Sequence, residues 1–431
     1  MTSAAEEQKG EHDAPANSIW KSLGPGLITG ASDDDPSGIA TYAQVGAQFG
    51  FGMAWVMLFS YPLMAAIQEI SARIGRVTGR GIAGNIHQHY SPWLLRVIVL
   101  MLFSANIINI GADLGAMGDA VHLLIGGPSG VYVVVFAVAC AWFEIFSRYE
   151  TYVSVLKWTT ISLLAYVAAV LAVDVPWREV VHDLVLPSLS WNKDYIVAIV
   201  AVLGTTISPY LFFWQSSEEA EEERITEGAE ALLTLPAQAP QEFRRIRFDT
   251  YVGMAYSNII ALFIIITTGA TLHVHGVTNI QNSAQAAEAL RPIAGHLASA
   301  VFALGIVGTG LLAIPVLAGS AAYALGEAAE WPIGLARQPF EAKAFYATVG
   351  IATLLGIGIN MVKIDPIRAL FWAAVINGVV AVPVMAIMMI MTRKSKVMGQ
   401  FTLPRGLAAV GWLATAVMAV TVLAMFWTLS V

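Results

Sequence analysis

Charge is what this sequence has least of. Of 431 residues only 12% are Asp, Glu, Lys or Arg, about half the share of a soluble domain. That scarcity excludes an ordinary water-soluble chain, and no nucleic-acid partner is expected of it. Cysteine is nearly absent too. The single Cys140, in "VYVVVFAVACAWF", excludes an internal disulfide and a thiolate metal cluster. No nucleophile–base constellation and no nucleotide motif occur, so the chain is not read as an enzyme, calls for no cofactor and carries no ATP-driven pump. The opening "MTSAAEEQKGEHDAPANS" lacks the charged and apolar regions of a signal peptide and reads, over residues 1–20, as a disordered cytosolic tail.

What is present in excess is apolar sequence. Hydrophobic residues make up 57% of the chain and mean hydropathy is +0.67. Eleven apolar segments reach spanning length, near 24–46, 51–74, 94–120, 129–147, 152–173, 194–217, 249–271, 297–324, 341–360, 366–391 and 405–429. At 1.5 Å rise per residue each crosses a hydrocarbon core of about 30 Å. The expectation is an all-α polytopic membrane protein with one transporter domain over 21–431. Placing the N-terminus inside puts 18 of the 23 Lys and Arg on the inner side and 5 outside, the bias the positive-inside rule demands. The expected location is therefore the plasma (inner) membrane, with the C-terminus outside and lipid as surroundings. The longest polar connection, 218–248, opens with Glu218, Glu219, Glu221, Glu222 and Glu223 and closes with basic residues. It reads as a solvated cytosolic helix with opposed charges.

Two segments are interrupted. In the first, "GASDDDPSG" places Asp33, Asp34 and Asp35 before Pro36, Ser37 and Gly38. Proline removes a backbone donor and disfavours helix at the residue before it. Non-helical backbone at membrane depth is tolerated only against protein or a wet cavity, and a mid-membrane carboxylate is normally functional. In the sixth, "VLGTTISPYLFFWQ" breaks over Thr205–Tyr210, again with a glycine before and a proline within. Two broken segments five apart point to inverted repeats, here about 24–173 and 194–391, with an extra helix at about 405–429. The substrate site then lies where the breaks meet. Freed carbonyls and a carboxylate there suit a cation.

These residues resemble the NRAMP divalent-metal transporters. "GPGLITGASDDDPSGIATY" is similar to that family's first helix, with its Asp-Pro-Gly-Asn motif, and "IQEISARIGRVTGRG" to its second. "GTTISPYLFFWQ" occupies the place of its Met-Pro-His stretch in helix six. The resemblance implies a LeuT-like fold with two inverted five-helix repeats. The family's Asp falls on Asp35 and its Asn on Gly38; its Met falls on Ser208 and its His on Tyr210. Its carbonyl ligands fall on Ser32 and Thr205. A thioether suits transition metals. Hydroxyls and water suit hard ions such as Mg²⁺, which gives up its waters reluctantly. The substitutions match the NRAMP-related magnesium transporters, the branch with Asp-Pro-Ser-Gly, and so imply import of largely hydrated Mg²⁺ and Mn²⁺. The vacant position at Gly38 is expected to leave room for water.

Asp33 and Asp34 have no counterpart in the family motif. A wider negative field, bound water, a helix cap and, for Asp34, direct ion contact all stay open. Asp113 falls where the family carries an Asp on its proton route, but the Glu expected one turn on is Ala116. With Tyr210 in place of His, transport without proton coupling is expected. Asn377 in "FWAAVINGVVAVPV" either faces the site or makes an interhelical bond; Asn106, Asn109, Gln68, Glu69 and Asn258 read as interhelical glue. The pairs His87/His89 and His273/His275 read as surface residues, and Trp55, Trp158 and Trp427 as interfacial anchors. The alternatives are a proton-coupled Mn²⁺/Fe²⁺ transporter and a sodium-coupled symporter of an organic solute on the same architecture.

Overall fold

The computed structural model describes residues 25–146, 164–361 and 365–430. The expected N-terminal tail, most of the fifth segment with Trp158, and Lys363 lie outside the described residues. All regular structure described is helical. The first segment is two helices, α1 (Pro25–Asp33) and α2 (Pro36–Phe49). There follow α3 (Trp55–Thr78), α4 (Ile82–His89), α5 (Pro92–Ile125) and α6 (Ser129–Phe146). The described end of the fifth segment is α7 (Leu164–Ala172), and α8 (Trp177–Val185) lies in the connection after it. The sixth segment is again two helices, α9 (Lys193–Thr206) and α10 (Pro209–Ile225). The chain closes with α11 (Ala239–Thr268), α12 (Ala298–Ala328), α13 (Lys343–Ile359), α14 (Pro366–Thr392) and α15 (Arg405–Ser430).

Every expected segment thus has a helix. Six described helices are long and apolar enough to span by themselves, and α9 and α10 taken together make a seventh span. The others fall short for identifiable reasons: the first segment is split, α3 carries Gln68, Glu69, Arg73 and Arg76, α13 has 17 residues, and only nine of the fifth segment's helix are described. Prolines open α2, α5, α10 and α14 in the first turn, where a missing N–H leaves no bond unmade. Ser91, Asn192 and Asp365 cap α5, α9 and α14 by accepting backbone N–H groups at 3.1–3.3 Å.

Apolar and polar residues are distributed as a lipid solvent requires. Val131, Val134, Val135, Val138 and Trp142 of α6 and Val420, Leu423, Phe426 and Trp427 of α15 face outward. Inside, amides bridge helices. Asn106 Nδ2 donates to the Leu317 carbonyl at 2.9 Å and to Ser320 Oγ at 2.7 Å. Gln68 Nε2 donates to the Leu211 carbonyl and to Gln215 Oε1, and Gln215 in turn to Thr250 Oγ1. Asn258 holds the Met57 carbonyl. The glue reading holds for these residues, and for Glu69, which lies 3.5 Å from Arg247 of α11 as well as 2.7 Å from Arg73 of its own helix. Trp55 Nε1 donates to the Tyr195 hydroxyl.

Helix α1 packs on α11 backbone to backbone. The spacing Gly26-x-x-x-Gly30 meets Gly253, and a Cβ on Gly30 would lie 2.3 Å from the carbonyl carbon and oxygen of Gly253. The N-terminus of α1 is held by Asp249 of α11, whose carboxylate accepts the N–H groups of Gly26 (2.7 Å) and Leu27 (3.1 Å).

The reading of 218–248 as a solvated helix with opposed charges is corrected at its acidic start, while residues 224–245 are largely exposed. Helix runs on to Ile225 and resumes at Ala239. Glu218, Glu219, Glu221 and Glu223 are buried. Glu219 pairs with Arg245 of α11, and Glu223 reaches Arg76 of α3 at 4.0 Å. Glu221 binds the Tyr323 hydroxyl and the N–H groups of Leu335 and Ala336. Burial of this many carboxylates requires partners, and these come from helices remote in sequence. His87 and His89 sit partly covered at the surface, as expected; His87 lies 3.4 Å from Glu330.

Candidate functional site

The two breaks face each other in the interior. Asp35 is the N-cap of α2: its extended backbone (φ −68°, ψ 170°) leaves Oδ1 to accept the Gly38 N–H and Ser37 Oγ, both at 2.7 Å. In the sixth segment Ile207 and Ser208 leave the helix before Pro209 restarts it, a narrower break than the sequence suggested. A hydrogen bond ties the breaks together. The Tyr210 hydroxyl donates to the Ser32 carbonyl at 2.9 Å. Ser208 Oγ lies 2.7 Å from the Thr205 carbonyl and 2.8 Å from that of Gly204. The two side chains standing at the Met and His positions therefore hold the two carbonyls expected to serve as ligands.

Gly38 lies against the sixth segment. A Cβ there would sit 3.0 Å from Thr205 Oγ1, 3.2 Å from the Asp33 carbonyl and 3.3 Å from the Tyr42 ring. The expected room for water at this position is filled by neighbouring atoms: the glycine serves close approach of the half-helices.

Asp33 and Asp34 turn away from the Asp35 cap. Ser257 Oγ of α11 lies 2.6 Å from Asp33 Oδ2 and 3.2 Å from Asp34 Oδ1. Asp33 Oδ1 and Asp34 Oδ2 have no hydrogen-bond partner. Asp113 of α5 is buried with both oxygens unpartnered, near enough to Asp35 for their charges to repel. Asn377 of α14 accepts from Asn109 Nδ2 at 2.9 Å, while its own Nδ2 is unpartnered. Its level in the membrane is fixed by the next residue: a Cβ on Gly204 would meet Gly378 N at 2.5 Å. Asn377 thus lies at the height of the sixth-segment break and makes the interhelical bond as well. Sequence reasoning passed over Ser257, which follows Asp33 by 224 residues and belongs to no motif.

All these groups are sealed from solvent: Asp33, Asp34, Asp113 and Asn377 are 0% exposed, and Asp35, Thr205, Ser208 and Tyr210 are 1% exposed. Among the described residues no lysine or arginine pairs with any of the four aspartates. At roughly 3 kcal/mol for each ionised carboxylate at mid-membrane, four such groups demand neutralisation by protons or cations. Among the described residues no three His, Cys, Asp or Glu side chains converge to hold a metal ion. The oxygens gathered at the breaks are mostly carbonyl, hydroxyl and amide.

Residues 26–428 match the family described as natural resistance-associated macrophage protein-like (Nramp). The chain belongs to the Nramp family. A curated relative, the divalent metal cation transporter MntH of Klebsiella pneumoniae subsp. pneumoniae, is 25% identical over 404 residues, covering 92% of this chain and 91% of the relative. Among solved structures, the manganese transporter of Eremococcus coleocola in complex with an aromatic bis-isothiourea substituted compound superposes with a TM-score of 0.72. It is 16% identical, and the match covers 96% of this chain and 89% of that one. MhsT in complex with L-phenylalanine superposes at 0.61, with 14% identity and coverage of 97% and 100%. The Nramp chain is thus an all-α, multi-pass membrane protein of LeuT-like fold, with the paired breaks at its centre.

Proposed function

We propose that this Nramp protein is a divalent metal cation transporter that imports Mg²⁺, and Mn²⁺ beside it, with much of the ion's water retained. The observation that carries the proposal is the chemistry of the paired breaks. Only oxygen donors face one another there, with no thioether or imidazole among them: the Asp35 carboxylate, the Ser32 and Thr205 carbonyls and the Ser208 and Tyr210 hydroxyls. That donor set favours a hard ion over a soft one. Because the hydroxyls already engage the carbonyls, an arriving ion meets a lining of O–H groups and a single carboxylate, which suits hydrated binding. Asp35 supplies the charge. Asn377 completes the wall from α14. The curated relative named a divalent metal cation transporter supports the substrate class.

Transport proceeds by alternating access, with α1 and α10 tilting against the rest, the N-terminus inside and the C-terminus outside. The inward-negative potential supplies about 2.3 kcal/mol per charge per 100 mV, about 4.6 for a divalent ion, so uptake runs without a proton gradient. The test is ion uptake into proteoliposomes with a luminal Mg²⁺ or Mn²⁺ indicator and a parallel pH-sensitive dye. Native protein is expected to admit both ions without acidifying the lumen, and Asp35→Ala to abolish uptake. Unchanged flux in that variant sinks the assignment of the site; a stoichiometric proton flux sinks the uncoupled mechanism and leaves the proton-coupled transition-metal reading.

A further inference from the structure

We propose that Asp33, Asp34 and Ser257 form a second divalent-cation position beside the one at Asp35. This rests on the reading of the protein as a divalent-cation transporter and adds a site to it. Three observations carry it. The two carboxylates are fully buried and share one donor, Ser257 Oγ, leaving Asp33 Oδ1 and Asp34 Oδ2 unpartnered. The Tyr42 phenol is also fully buried, within electrostatic reach of Asp33 and Asp34 and beside Thr205. Its ring edge, the Asp33 carbonyl and Thr205 Oγ1 meet around Gly38. Finally, Asp35 directs Oδ1 to its own cap, whereas Asp33 and Asp34 turn to α11.

Oxygen-only donors and two adjacent formal negative charges select a hard divalent ion that completes its shell with water. The charge count agrees. Asp33, Asp34, Asp35 and Asp113 carry four formal negative charges with no basic partner among the described residues, and two divalent ions balance them. Neighbouring positions for one ion species also favour release, because each ion repels the other.

The test is Mn²⁺ binding to the full-length protein in nanodiscs, followed by equilibrium dialysis and by Mn²⁺ electron paramagnetic resonance. The expected result is two Mn²⁺ per native chain, one for the Asp33→Asn/Asp34→Asn variant and one for Asp35→Asn. Ser257→Ala, remote from the break in sequence, keeps the fold testable should the double variant fail to assemble. It is expected to weaken one of the two positions by about 10–100-fold, the usual effect of removing a group that orients metal ligands, and Ser257→Thr to restore it. One Mn²⁺ per native chain, lost in Asp35→Asn and unaffected by Ser257→Ala, overturns the second position and leaves the transporter reading intact; it would mean that protons neutralise Asp33 and Asp34. No Mn²⁺ bound to the native chain overturns both.

Discussion

Replacing Gly30 by alanine tests how α1 is held. The added Cβ would stand 2.3 Å from the carbonyl carbon and oxygen of Gly253 and 2.6 Å from its Cα, where ordinary contact begins near 3.4 Å. All three atoms are backbone, so no side-chain rotation relieves the overlap. About 1.1 Å of separation, the difference between 3.4 and 2.3 Å, must come from moving α1 off α11. Forcing one extra methyl into a close-packed contact costs about 1–3 kcal/mol. The same movement strains the bonds from Asp249 to Gly26 and Leu27, which lie one turn away. If α1 tilts during transport, this penalty falls mainly on the sealed conformation seen here. A penalty of about 1–3 kcal/mol then shifts the populations toward an open state by about 5–150-fold, at 1.4 kcal/mol per factor of ten. A cysteine introduced at Ser32, which is 0% exposed, reports the shift through its rate of labelling by a membrane-impermeant maleimide. The rate is expected to rise several-fold in the Gly30→Ala background, with a lower melting temperature in detergent. Equal labelling and equal melting in both backgrounds refute the argument that backbone contact locks α1.

Other substitutions probe separate links. Arg245→Met leaves the fully buried Glu219 without its partner and should cost about 3–5 kcal/mol, seen as loss of folded protein in size-exclusion profiles; Glu219→Leu added to it is expected to recover most of the yield. Asp249→Ala orphans two N–H groups of α1, and a loss of about 1–3 kcal/mol should appear as a lower melting temperature. Tyr210→Phe frees the Ser32 carbonyl at a stability cost of about 0.5–1.5 kcal/mol, and is expected to raise the Mn²⁺-to-Mg²⁺ uptake ratio by offering a bare carbonyl to the more readily dehydrated ion. Ser208→Met is expected to raise Cd²⁺ uptake relative to Mg²⁺ in proteoliposomes, since a thioether favours the softer ion.

The breaks could be read from the chain because proline and its neighbour carry local rules. Pro36 and Pro209 mark the restarts of α2 and α10, and two residues separate each from the end of the preceding helix. Spanning length likewise located every segment. The acidic run at 218–223 was misread for the opposite reason. Local charge density says nothing of burial, and the partners Arg76, Arg245 and Tyr323 sit on three other helices. The same limit explains Ser257 and the neighbours of Gly38. A missing side chain looks like empty space in a sequence, but here Thr205 closes in from the sixth segment, an element that only the fold brings near, beside Tyr42 one turn along the same helix as Gly38. Asn377 was legible as a residue type at a segment's middle; its height became definite only through the Gly204–Gly378 contact.

The bond from Tyr210 to Ser32, with Ser208 on Thr205, bears on the half of the cycle in which nothing is carried. An importer driven only by voltage must turn back without cargo, and a site built from bare carbonyls would resist that journey once its ion has left. Here the departing ion leaves those carbonyls already capped by the chain's own hydroxyls. On the uncoupled mechanism proposed above, the empty breaks can close on themselves, and only the charge of the aspartates is left for protons or cations to neutralise on the return stroke.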